Sequence, residues 1–176
     1  MKSFLLIGLN IAVCALYAQE KMNPIIKNYG GIYNIPDATV KGESDIEYNI
    51  VVDVATGAED NSEVAWGLNN VARMINLHAI SNVESKNLHV VLAIHGSATV
   101  ALLNNKAFNE RFGIDNPNIP LLKELHESGV KLTVCGQSLL SRKVDPSEII
   151  DEVELATSML TTVTTYQLKG YAFLKF

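Results

Sequence analysis

Two cysteines occur in the 176 residues, Cys14 and Cys135, and only the second sits where a thiol can work. Cys135 ends the run Val130-Lys131-Leu132-Thr133-Val134 and is followed by Gly136-Gln137-Ser138. A strand that stops at a cysteine and turns into a helix sets the sulfur beside unpaired backbone N–H groups and the positive end of the helix dipole. Both stabilise a thiolate, which is the nucleophilic form. Gly136 permits close approach of backbone or substrate. Gln137 and Ser138 bring hydrogen-bond donors for a sulfur anion. His95 closes the run Leu88 to His95 and becomes a proton partner if its strand lies beside that of Cys135. The competing reading is a small buried apolar residue, the commoner fate of a lone cysteine at a strand end.

Alternating strands and helices bring these residues together. Ile46 to Ala55 is β-branched and stops at Thr56-Gly57, a first strand. Asp60-Asn61-Ser62-Glu63 has the form of a helix start, and Val64, Leu68, Val71 and Ile75 recur at helical spacing. Leu88 to His95 is a second strand and Ala98 to Asn104 a short helix. Ile119 to Ser128 is a helix closed by Gly129, and Val130 to Cys135 is a third strand. A short helix through Gln137 to Arg142, a strand Glu152 to Ala156, a helix Ser158 to Lys169 and a strand Tyr171 to Leu174 complete the chain. Lys106 to Pro120 reads as a long loop, a lid or an interface arm, in which Arg111 either contacts an anion or is a solvated cation.

Strands alternating with helices, and nearly continuous in apolar residues, predict a mostly parallel sheet covered on both faces. The expected fold is a three-layer α/β/α sandwich, flavodoxin-like in the broad sense. In open sheets of this kind ligands bind at the carboxyl ends of the strands. That edge collects Asp53 with Thr56-Gly57, His95-Gly96-Ser97 and Cys135-Gly136-Gln137-Ser138.

Composition narrows the class. Apolar residues make up 48% and charged residues 19% of the chain, a globular rather than a disordered balance. A net charge of −5 with no basic run argues against nucleic acid as a partner. Lys2, the apolar run Phe4 to Leu16 and small Ala18 before Gln19-Glu20-Lys21 have the layout of a secretory signal peptide over residues 1–18. A rival is lipid modification of Cys14. Residues 19–44 are punctuated by Pro and Gly and form an N-terminal arm, and 45–176 are the domain. The expected location is therefore periplasmic or secreted, with no membrane contact after cleavage. An exported chain with one remaining cysteine cannot close an internal disulfide. Cys135 is then a filler, an intermolecular link or a working thiol.

The run Val130 to Leu139, the ending Gln167-Leu168-Lys169-Gly170-Tyr171-Ala172-Phe173-Leu174, the segment Val90 to Gly96 and the helix Leu68-Asn69-Asn70-Val71-Ala72 together resemble the DsrE/DsrF-like sulfur-relay family. The resemblance spans roughly residues 45–176. It implies a compact α/β/α fold, trimers or hexamers, and, in active relay members, a cysteine at the position of Cys135 that carries sulfur as a persulfide. It implies partners that donate and accept sulfane sulfur, either proteins or small sulfur compounds. The functional expectation is an exported sulfur carrier or sulfurtransferase, with Cys135 as nucleophile and His95 as acid/base. Gly136, Gln137 and Ser138 would bind the anion. The alternative is an oligomeric binding module of the same fold with an inert cysteine.

No cofactor or metal is expected. No His-Glu-x-x-His, paired-cysteine or clustered aspartate pattern occurs, nor any glycine-rich phosphate loop. His78, His89 and His126 are scattered. Ser97 and Ser138 lack the context of a strained nucleophile turn and fit helix caps. Trp66 points away from the Val64/Leu68/Val71/Ile75 stripe, toward the N-terminal arm or a subunit interface.

Overall fold

The computed structural model describes residues 20–176. The proposed signal segment and Cys14 lie outside the described residues. Five strands form one sheet: β1 (Tyr48–Val54), β2 (Leu88–Ile94), β3 (Lys131–Cys135), β4 (Val153–Ala156) and β5 (Ala172–Lys175). Their order across the sheet is β4-β3-β2-β1-β5, and every pairing is parallel. The helices are α1 (Trp66–Ile80), α2 (Asn105–Phe112), α3 (Ile119–Glu127), α4 (Gly136–Arg142) and α5 (Met159–Leu168). A 3-10 segment follows β2 over Gly96–Leu102. The α/β sandwich expected from the strand–helix alternation is what forms.

Chirality dictates where the helices go. The chain steps from β1 to β4 in one direction along the sheet, then returns past β3, β2 and β1 to lay down β5. Right-handed crossovers put helices of forward steps on one face and that of the return step on the other. Leu68, Val71 and Ile75 of α1, Leu121, Leu122 and Leu125 of α3 and Leu139 of α4 accordingly share one large core with Ile50, Val52 and Val54 of β1. The opposite face holds a small cluster of Val51, Val91, Ala93 and Val163, with Met159, Tyr166 and Tyr171 beside it. Only α5 among these helices contributes there, and its Leu160 and Leu168 stay exposed.

The arm packs against α1 through its first part, around Ile25 to Gly30, while Tyr33, Ile35 and Val40 beyond it are exposed. Ile26 and Ile32 are fully buried. Asn76 of α1 pins this arm: its Oδ1 accepts from Ile25 N (3.0 Å) and Ile26 N (2.9 Å), and its Nδ2 donates to the carbonyls of Ile26, Tyr29 and Gly30.

Two local expectations are corrected. The first helix begins at Trp66, not near Asp60. Asp60 Oδ1 accepts instead from the N–H and hydroxyl of Ser62, closing a local turn. Residues 106–120 are not a long loop: α2 occupies 105–112. Asn104 caps it by accepting from Ala107 N, and Phe108 plugs the core. Of the two readings of Arg111, contact with an anion is the one that forms: its Nη2 lies 2.9 Å from both carboxylate oxygens of Glu148. The Asn104 cap and the buried Phe108 side chain hold the helix in place.

Candidate functional site

The return of the chain creates a switch point at the carboxyl ends of β3 and β4. From β3 the chain enters α4 on one face, and from β4 it enters α5 on the other. Divergent connections leave a crevice between neighbouring strand ends, where α/β sheets bind ligands. Cys135 is the last residue of β3 and pairs in register with Ala156 of β4. The thiol therefore stands in that crevice with a helix start on each side.

Its surroundings are built of donors. Backbone N–H groups of Met159, Ser138 and Gln137 and the Ser138 hydroxyl hydrogen-bond to the Cys135 sulfur. Burial, the largest single influence, pushes the thiol pKa up; Cys135 is only 6% exposed. The four donors outweigh it, and the pKa falls below its ordinary value. Gly136 provides room rather than a donor. A Cβ there would sit 3.0 Å from the Ala156 carbonyl oxygen, so a side chain would wedge α4 from β4. A groove of about 380 Å³ opens along α4 at the same turn, lined by Gly136, Gln137, Leu139, Leu140, Leu155 and Ala156 among others; Cys135 itself does not line it.

Ser138 does not cap a helix. Its Oγ accepts from Gly96 N at 3.2 Å, which leaves its hydroxyl hydrogen for the sulfur. Ser97 likewise bridges, accepting from Gly57 N and donating to the Ala55 carbonyl. His95 follows β2, which neighbours β3 directly, and the register Ile94↔Val134 makes His95 and Cys135 adjacent positions. Its imidazole bonds Asp53, however, with Nε2 2.6 Å from Asp53 Oδ1. Lys175 of β5 approaches the other carboxylate oxygen at 3.6 Å.

The expected residues Cys135, Gly136, Gln137 and Ser138 thus come together, with His95 on the next strand. Met159 completes the constellation and was not singled out by sequence reasoning; Asp53, which the sequence places at this edge without a role, joins it through His95. The signal for Met159 was present: Ser158, two residues after Ala156, accepts from Thr161 N as the cap of α5. Only the strand order brings that cap beside Cys135. Trp66 is 64% exposed, with its ring edge-on to Phe176 at 6.4 Å. His89 is exposed and paired with Glu47. Among the described residues no cluster of three or more His, Cys, Asp or Glu side chains could hold a metal ion. No described helix is long and apolar enough to cross a membrane.

This is a parallel α/β/α protein with Cys135 at its switch point. The family model of the DsrE/DsrF-like family matches residues 49–176, and the chain belongs to that family. Two solved structures share the fold. One is the ychN protein from E. coli, with 26% identity and TM-score 0.53, covering 73% of this chain and 99% of that one. The other is the protein of unknown function MTH1491 from Methanobacterium thermoautotrophicum, with 19% identity and TM-score 0.54 over the same shares. No curated protein matches the chain.

Proposed function

We propose that this protein is an exported sulfane-sulfur carrier of the DsrE/DsrF-like family, working through Cys135. Family membership supports sulfur-relay chemistry. The carrying observation is the buried thiol held by four hydrogen-bond donors drawn from two helix starts. The Cys135 thiolate attacks the outer sulfur of a persulfide donor. A Cys135 S–S bond forms, the donor S–S bond breaks, and the departing sulfur takes the proton of the outer sulfur and leaves as a thiol. The terminal sulfur now carries the negative charge, and the same donors bind it. An acceptor thiolate then attacks that outer sulfur and regenerates the Cys135 thiolate, with no net oxidation. Gln137 and Ser138 bind the anion, Gly136 keeps the approach open, and His95 serves as acid/base. Donor and acceptor are proteins or small sulfur compounds. The carrier is a trimer or hexamer that acts in the periplasm or outside the cell, as the apolar N-terminal segment suggests.

A second reading, an oligomeric binding module with an inert cysteine, is favoured by the near-complete burial of Cys135. Intact mass after brief polysulfide exposure separates the two. The carrier gains one sulfur (about 32 Da) as a persulfide on Cys135, and Cys135→Ser gains none. Sulfur loading of the serine variant overturns the proposal. So does a thiol that labels only after unfolding.

A further inference from the structure

Asp53 is a buried carboxylate, 4% exposed, at the carboxyl end of the central strand β1, and the sulfur chemistry above does not use it. Its contacts lead back to the thiol through a continuous chain. Asp53 Oδ1 holds His95 Nε2 at 2.6 Å. An ionised carboxylate only accepts, so the hydrogen sits on Nε2. His95 N donates to the Val54 carbonyl at 3.0 Å, which fixes the backbone of the same residue. The next residue, Gly96, turns sharply at φ +56° and donates its N–H to Ser138 Oγ at 3.2 Å. With that lone pair occupied, the Ser138 hydroxyl directs its hydrogen to the sulfur.

We propose that Asp53 is a positioning residue for the Cys135 thiolate, acting through His95 and Gly96 on the hydroxyl of Ser138. The inference rests on the reading of Cys135 as a working thiol. It needs no contact between Asp53 and substrate. The titratable groups on this side of the sheet at its carboxyl end are Asp53 on β1, His95 on β2, Cys135 on β3 and Lys175 on β5. From α5, Tyr166 packs deeper against the same face. Lys175 is the control. It touches the same carboxylate from the solvent side but lies outside the chain of contacts that ends at Ser138.

The test is the pH midpoint of thiol alkylation in the full chain, read as a double-mutant cycle. Asp53→Asn is expected to raise the midpoint by about one pH unit, a tenfold loss of thiolate at fixed pH below it. Ser138→Ala raises it by as much or more. In the Ser138→Ala background, Asp53→Asn adds nothing further, because its route to the sulfur is gone. Lys175→Met leaves the midpoint in place. If Asp53→Asn does not fold, His95→Gln carries the same comparison with the same expected non-additivity. Shifts that simply add, or no shift on the first substitution, overturn the proposal. The readout is independent of sulfur loading. A thiol that alkylates normally but takes up no sulfur defeats the carrier reading and leaves this cycle interpretable.

Discussion

Asn76 offers the sharpest test of what holds the N-terminal arm. Replacing it with Leu keeps the number and branching of the side-chain heavy atoms but removes five hydrogen bonds at once. Three of the groups left behind, Ile26 N–H, Ile26 C=O and Gly30 C=O, are buried. At about 1–3 kcal/mol for each buried polar group stranded, the loss with the arm kept in place is about 3–9 kcal/mol. The arm has a way out that limits the damage. If it detaches, those groups reach water, and the loss becomes the burial of Ile26 and Ile32. Two fully buried isoleucines contribute about 3–6 kcal/mol. Detachment is therefore competitive with strain, and the expected loss is about 3–5 kcal/mol, a large part of the usual 5–15 kcal/mol total. Urea unfolding gives the stability, and hydrogen exchange of the Ile25 and Ile26 amides tells which route is taken. Detachment predicts that both amides exchange quickly while strands β1 to β3 stay protected, and that proteases cut within residues 20–44. A loss below about 1 kcal/mol with both amides still protected would refute the reasoning.

Two further outcomes follow from the site. The folded thiol pKa is lowered, so the thiolate stabilises the fold once pH exceeds the unfolded value near 8.5. That contribution disappears as pH falls through the lower folded value. The stability of the native chain minus that of Cys135→Ser should rise across this window and then level off; a flat or falling difference refutes the shift. Gly96→Ala places a Cβ 2.7 Å from the Ala55 carbonyl oxygen at a positive φ. It should cost about 1–3 kcal/mol in chemical denaturation. Because Gly96 N–H anchors Ser138, it should also raise the alkylation midpoint of Cys135, and an unchanged midpoint would break that link.

What the sequence shows here follows from how local each feature is. Strands β1 to β3 are apolar runs stopped by turn residues, so their existence and their common edge are legible. The Cys135-Gly136-Gln137-Ser138 turn is legible for the same reason, since its donors are neighbours in the chain. Helix α2 is not, because its first turn is polar and its stability comes from Phe108 reaching the core. Asp60 looks like a cap but spends its carboxylate on Ser62. Asp53 reads as one polar residue in an apolar strand; its partner His95 is 42 residues away. Met159 enters the site only because β4 pairs with β3 and the chain then turns back, a fact of strand order that no local pattern carries.

That turning back also sets when the thiol acquires its environment during synthesis. As the chain emerges, Gln137 and Ser138 reach Cys135 within three residues. Gly96, already made, can anchor Ser138 as soon as β2 and β3 pair. The Met159 N–H arrives later. The return of α5 is then fastened by β5, which adds beside β1 more than a hundred residues upstream: Ile50 meets Ala172 and Asp53 meets Lys175. Pairings so distant in sequence form slowly, because the loop must close before the contacts reward it. A nascent chain stopped short of β5 would hold a cysteine with its local donors only, nearer to an ordinary thiol. Docking of the last strand is then the step that joins the completed fold to a fully furnished sulfur.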